Sequence, residues 1–161
     1  MKTLLIVFHS ATGGTEQMAL AAARGAIGEV RVNLMPARDA TAKDLLTADG
    51  YIFATPENLA AIAGVMKDFF DRTYYPALGR IQGRPYATLV CAGSDGTNAI
   101  RQIARIATGW RLREIAESIL VCTFAQTAEK ILAPKIIGPD DLGRCETLGK
   151  TFAAGLAMGI F

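Results

Sequence analysis

Two hydrophobic rhythms alternate along the chain. Leu4-Leu5-Ile6-Val7-Phe8, Tyr51-Ile52-Phe53-Ala54, the run Tyr86 to Cys91, and Ile119-Leu120-Val121-Cys122 are short apolar stretches rich in β-branched and aromatic residues. Such runs read as strands buried on both faces, the pattern of interior parallel strands. Val30-Arg31-Val32-Asn33-Leu34 instead alternates apolar and polar, so it is half exposed, belongs at a sheet edge and ends at Pro36. Between these segments the apolar spacing changes to that of helices. Met18, Ala19, Ala22 and Ala23 share one face of a helix that stops near Arg24-Gly25, and a short helix is expected around Ala42 to Leu46. Ile62, Val65, Met66, Phe69 and Phe70 mark a helix starting near Ile62, with Lys67, Asp68, Asp71 and Arg72 outward. Ile100, Ile103, Ala104 and Ala107 mark the next, with Arg101, Gln102 and Arg105 outward and Gly109 closing it. Gly138-Pro139-Asp140-Asp141 announces the last helix, where Pro suits the first turn and the acids suit the dipole; its stripe is Leu142, Cys145, Leu148, Phe152 and Leu156.

Five alternations of strand and helix predict an α/β domain spanning 1–161, a three-layer α/β/α sandwich around a five-stranded parallel sheet. The edge character of the second strand predicts the order 2-1-3-4-5. In such a sheet ligands lie beyond the carboxyl ends of the strands, beside the first and third. Three loops reach that position: 9–15, 55–60 and 92–96.

The first loop, His9-Ser10-Ala11-Thr12-Gly13-Gly14-Thr15, contains no acidic or basic side chain apart from its single neutral histidine, and it carries three hydroxyls and two glycines directly before a helix. Free N–H groups and the positive end of a helix dipole converge there, which makes an anion site for phosphate. A P-loop needs Lys after its last Gly, where this chain has Thr15 and Glu16. The dinucleotide fingerprint is missing too, because Gly13 and Gly14 are adjacent and no third Gly follows at the required offset.

Composition narrows the choice. A hydrophobic content of 51% with 16 Gly fits a well-cored globular domain, and a net charge of +2 argues against both a nucleic-acid protein and an acidic electron shuttle. Cys91, Cys122 and Cys145 are odd in number and form no C-x-x-C, so buried reduced thiols in a cytoplasmic protein are expected. The apolar start is shorter than a signal-peptide core, and the Phe152-to-Phe161 run is too short to span a bilayer, so no membrane insertion is expected. One histidine and no cysteine cluster make a metal site improbable, and Ser10 and Ser94 lack the context for nucleophilic work.

The motif Ser10-x-Thr12-Gly13-x-Thr15, with a small residue at Ala19, resembles the flavodoxin family, whose hydroxyl-rich loop holds the phosphate of FMN through hydroxyls and backbone amides. The segment from Thr55 to Lys67 is similar to that of NAD(P)H-dependent FMN and quinone reductases. It keeps Thr55, Pro56, Glu57, Gly64 and Lys67, but has Asn58 in place of an aromatic residue and Ala63 in place of Pro. The resemblance implies a flavodoxin-like fold binding FMN non-covalently through Ser10, Ala11, Thr12, Gly13, Gly14, Thr15, Thr55, Pro56, Glu57, Asn58, Leu59, Ala92, Gly93, Ser94, Asp95 and Gly96. No catalytic side chain is expected, since the flavin carries the redox chemistry.

On this reading the protein is an NAD(P)H-dependent oxidoreductase passing hydride through flavin N5 to a quinone-like acceptor, and the resemblance implies a homo-oligomer. Two alternatives stay open: a flavodoxin electron carrier without turnover of its own, and a module that keeps the fold for interaction alone. Arg101, Arg105, Arg111 and Arg113 could meet the 2′-phosphate of NADPH or form a solvated face. Tyr74, Tyr75 and Trp110 could line a pocket or interface, or pack peripherally.

Overall fold

The computed structural model describes residues 1–161 and has the α/β/α architecture expected. Its strands are β1 (Thr3–Phe8), β2 (Arg31–Pro36), β3 (Gly50–Asn58), β4 (Ala61–Ile62), β5 (Pro85–Ala92), β6 (Arg113–Glu114) and β7 (Ile119–Cys122). Its helices are α1 (Gly14–Ala26), α2 (Ala42–Thr47), α3 (Gly64–Ala77), α4 (Thr97–Gly109), α5 (Ala128–Leu132) and α6 (Pro139–Ala157). The parallel ladder runs β2-β1-β3-β5, and β5 then pairs with β6 at Pro85–Tyr86 and with β7 at Leu89–Ala92. β6 and β7 are therefore two pieces of one interrupted edge, and the fold is flavodoxin-like with the order 2-1-3-4-5 for its main strands. The count of five gives way to seven for two reasons. The edge is broken, and β4 is an antiparallel stub folded back on β3, with Glu57 opposite Ile62 and Asn58 opposite Ala61.

That stub corrects the expected start of the third helix. Ile62 pairs in the sheet, and the helix begins at Gly64, so Val65 is exposed while Met66, Phe69 and Phe70 fill the core. Two cores flank the sheet. On one face α1 and α6 cover Leu4, Ile6, Ile52, Ala87 and Leu89; on the other α2, α3 and α4 cover Leu5, Val7, Tyr51, Phe53 and Val90. Trp110 belongs to the second core: it is buried, stacks on Tyr74 at 5.5 Å and donates from Nε1 to the Tyr74 carbonyl at 2.9 Å. Tyr75 beside it is exposed, as are Arg101, Arg105, Arg111 and Arg113. Of the cysteines, Cys91 and Cys145 are buried and free, whereas Cys122, on the edge strand, is only half-buried. No helix is long and apolar enough to cross a membrane.

The α1–α6 seam is built from small residues. Gly25 lies under the Glu146 carbonyl and Gly149 under the Ala22 carbonyl, leaving no space for a side chain at either glycine. Cys145 sits in the same seam, and burial pushes its thiol up to about 11. Across the sheet, Tyr51 donates to the Leu45 carbonyl at 2.7 Å and accepts from Arg84 Nη1 at 3.0 Å, and burial pushes its phenol up to about 12. Both folded values lie above the unfolded ones, so the stabilising contribution is complete below pH 9 to 10 and is lost as pH rises toward 11 to 12. The urea midpoint is expected to be lower at pH 10.5 than at pH 8; equal midpoints would contradict this account.

Candidate functional site

β1, β3 and β5 end at one edge of the sheet, and the segments that leave them enclose a cavity of about 510 Å³. That volume lies within the range of small-molecule and cofactor pockets. Its walls include Ser10, Ala11, Thr12, Gly14 and Thr15 from the first loop, Pro56, Glu57, Asn58 and Leu59 from the second, and Ala92, Gly93 and Ser94 from the third. Three segments distant in sequence thus form one site, as their positions after buried strands predict.

The first loop is preformed. Gly13 adopts the left-handed region at φ +92°, which a residue without Cβ tolerates, and donates its N–H to Ser10 Oγ at 3.1 Å. The helical bonds of α1 begin with Gln17 N–H donating to the Gly13 carbonyl at 3.1 Å, so the N–H groups of Gly14, Thr15 and Glu16 precede the first of them. Thr15 is 1% exposed, and its Oγ1 is the one buried side-chain polar atom without a hydrogen-bond partner. A hydroxyl buried without a partner costs about 1–3 kcal/mol, so its retention beside the free amides of a helix start leaves a place for an acceptor. Unpaired amides, a partnerless hydroxyl and a helix N-terminus fit the phosphate of FMN.

Four of the expected site residues stand outside the cavity wall. Gly13 faces Ser10 and Gln17. Thr55 is fully buried, donating to the Pro56 carbonyl and accepting from Ala63 N–H. Asp95 accepts from Thr97 at the start of α4, and Gly96 N–H is taken by Glu57 Oε1 at 2.9 Å. Glu57 borders the cavity, but its other oxygen accepts from Ala99 N–H at 3.1 Å, so its carboxylate caps α4. The 55–60 segment is also a strand end and a hairpin turn: Leu59 and Ala60 carry φ of +51° and +62°, and Leu59 points fully into solvent. Asn98 Nδ2 donates to the Ala60 carbonyl at 2.6 Å, and Ile62 N–H donates to Gln102 Oε1 at 2.8 Å, which clamps that turn onto α4. Gln102 is thus a tether, where the helical spacing placed it outward.

Ala60 of the second loop and Cys91 of β5 also line the cavity. The fourth wall was not foreseen in the sequence: Thr123, Ala125, Ile131, Leu132 and Lys135, all from the segment after β7, complete it. That segment leaves the sheet with Thr123 N–H on the Ala92 carbonyl at 2.8 Å, passes close over Gly93, and returns with Lys135 N–H on the Thr12 carbonyl at 2.8 Å. Its sequence signals are Phe124 and the apolar pairs Ile131-Leu132 and Ile136-Ile137, of which only Ile137 is buried.

Burial pushes the Cys91 thiol up to about 11, which keeps it protonated at neutral pH. His9 is off the cavity wall, and burial, aided by the Arg38 charge, holds its imidazole below its ordinary value. No three His, Cys, Asp or Glu side chains are grouped to hold a metal ion.

Residues 20–126 match the model of the family described as NADPH-dependent FMN reductase. Among curated proteins, a flavodoxin of Aquifex aeolicus is 33% identical over 97 residues, covering 59% of this chain and 50% of that protein. An NAD(P)H dehydrogenase (quinone) of Acidithiobacillus ferrooxidans is 34% identical over 95 residues, covering 45% of this chain and 48% of that protein. The chain spans about half the length of the curated relatives it matches. Among solved structures, a flavodoxin from the domain Archaea superposes with a TM-score of 0.77 at 21% identity, covering 96% of this chain and 98% of that one.

Proposed function

The chain belongs to the NADPH-dependent FMN reductase family, a family of FMN-binding flavoproteins, and from that premise we propose that it is an NAD(P)H-dependent oxidoreductase holding FMN in the cavity above β1, β3 and β5. The observation that carries the reading is Thr15, whose buried hydroxyl has no protein partner where the first-turn amides of α1 open on the cavity.

In this reading Ser10, Thr12, Thr15 and the Gly14–Glu16 amides hold the phosphate by hydrogen bonds alone, with the α1 dipole offsetting its charge. Pro56, Asn58, Leu59, Ala92, Gly93 and Ser94 form the slot for the ring. Gly93 suits the tight side of that slot, since a Cβ there would come within 2.7 Å of the Ala125 carbonyl. Ile131 and Leu132 would lay apolar surface along the far wall. Bound there, FMN would supply the redox chemistry, taking a hydride equivalent from the nicotinamide and giving two electrons and a proton to a quinone-type acceptor, whose second proton would come from solvent.

A homo-oligomer belongs to the same reading. Leu59, Ile131 and Leu132 leave apolar surface exposed at the cavity, the kind of surface that a second subunit covers.

The test is a visible absorption spectrum after adding FMN and desalting, followed by anaerobic mixing with NADH or NADPH. Retained flavin bands that bleach within seconds are expected. Retained bands that stay inert to both nucleotides would move the assignment to an electron carrier, and a colourless protein would overturn the cofactor assignment.

A further inference from the structure

The segment that closes the cavity is tied to the phosphate-binding loop by one side chain. Gln17, one turn into α1, donates from Nε2 to the Gly13 carbonyl at 2.9 Å and to the Lys135 carbonyl at 2.7 Å, and its Oε1 accepts from Ile137 N–H at 3.0 Å. One amide thereby satisfies a carbonyl of the loop together with a carbonyl and an amide of a segment about 120 positions away. A single direct backbone bond runs parallel to it, from Lys135 N–H to the Thr12 carbonyl.

The rest of that segment is self-contained. Thr127 Oγ1 accepts from Lys130 N–H at the start of α5, and Lys135 Nζ donates to the carbonyls of Lys130, Ile131 and Ala133 at its end. Residues 127–134 are exposed along their whole length, and Ile137 beyond them is buried in the α1–α6 core. The 123–137 strap is thus anchored at both ends and free of backbone pairing with the sheet between them, with Gln17 as the largest polar tie at its second anchor.

We infer that Gln17 is a positioning residue for FMN: it latches the strap onto the loop so that the Gly13–Thr15 cradle keeps its shape and the phosphate is shut in beneath Lys135. The argument turns on which groups Gln17 holds. Gly13 precedes the first-turn amides, so a shift of its carbonyl reorients the donors that face the phosphate. Lys135 packs against Gly14, the residue before Thr15, and Thr15 Oγ1 is already sealed from solvent. Phosphate entry or release therefore requires the strap to lift, and lifting it breaks the Gln17 bonds. This inference rests on the FMN reading of the site.

The test compares wild type, Gln17→Met and Gln17→Glu in equilibrium and stopped-flow binding of FMN and of riboflavin, which lacks the phosphate. Met keeps the length and helix preference of Gln17 but removes all three bonds. Gln17→Met is expected to weaken FMN binding about tenfold, chiefly through faster dissociation, while riboflavin binding changes less than twofold. Hydrogen exchange at the Lys135 and Ile137 amides is expected to accelerate in the same variant. Gln17→Glu keeps the acceptor for Ile137 and loses the donor, so its FMN affinity relative to wild type should recover as pH falls and the carboxyl regains a proton.

An equal loss of FMN and riboflavin would show a general structural role and overturn the latch, as would unchanged FMN affinity in Gln17→Met. A wild-type protein that binds neither flavin would overturn the FMN reading and this inference together. If Gln17→Met does not fold, the pH recovery of Gln17→Glu decides the question: recovery supports the latch, and a flat ratio overturns it.

Discussion

Thr15→Val is expected to cut FMN affinity by about 10- to 100-fold while leaving the apoprotein as stable as wild type or more so. Valine has nearly the shape of threonine, so packing around the first turn of α1 is preserved. What disappears is one hydroxyl, buried and without any protein partner. In the apoprotein that hydroxyl is a liability, because burial removed its water without replacing it, and its removal should raise the urea midpoint or leave it unchanged. In the proposed complex the same hydroxyl would donate to a charged phosphate oxygen, the stronger class of hydrogen bond. Opposite signs for affinity and stability are the signature of a group kept for a ligand. Fluorescence titration with FMN and urea unfolding of the apoprotein measure the two. A fall in stability with unchanged affinity would place the partner of Thr15 within the protein and remove the main support for the phosphate site.

Gly149→Ala is expected to destabilise the fold by about 3 kcal/mol, whereas Gly143→Ala on the same helix should stabilise it by roughly 0.5–1 kcal/mol. Both glycines lie within α6, and Ala is the better helix former at each. The difference is tertiary. A Cβ on Gly149 would run into the backbone carbonyl of Ala22 on α1, whereas nothing lies within 4 Å of one on Gly143. Backbone cannot swing aside as a side chain can, so the two helices must separate along a seam that also packs Ala22, Ala26 and Cys145. For a domain of this size the loss corresponds to a fall in melting temperature of roughly 6–12 °C, readable by circular dichroism. Similar melting of both variants would show that α1 and α6 do not approach as closely as described.

These two residues mark the division between what local pattern encodes and what the folded chain adds. Thr15 could be singled out by reading forward: an unbroken apolar strand, a loop of hydroxyls and glycines, then a helical period. Each of these is a local property, and so is the left-handed turn at Gly13. Gly149 could not be singled out that way. Nothing within a few positions of it distinguishes it from Gly143, because the clash that separates them is with a carbonyl about 127 positions earlier.

The same division runs through the site. Ser10, Thr12, Thr15, Pro56, Asn58, Gly93 and Ser94 reach the cavity because strand order and polarity bring the ends of β1, β3 and β5 together, and both follow from runs of apolar residues and the alternation of β2. Thr55, Asp95 and Gly96 belong to the same loops yet turn away, and Glu57 spends its carboxylate on α4. Their hydrogen-bond partners, Ala63, Thr97 and the amides at the start of α4, were as near as the cavity and already in place. Turn composition places such residues in a loop without deciding which side of it they face.

The sequence by itself determined the class of fold, the order of the main strands and the hydroxyl-rich turn at the start of α1, because periodicity and turn chemistry are set by residues a few positions apart. The strap, the Gln17 latch, the fourth wall at Ile131, Leu132 and Lys135, and the glycine seam were decided only in three dimensions. Each depends on a contact between segments that the chain brings together after thirty or more intervening residues, and no local pattern specifies the partner.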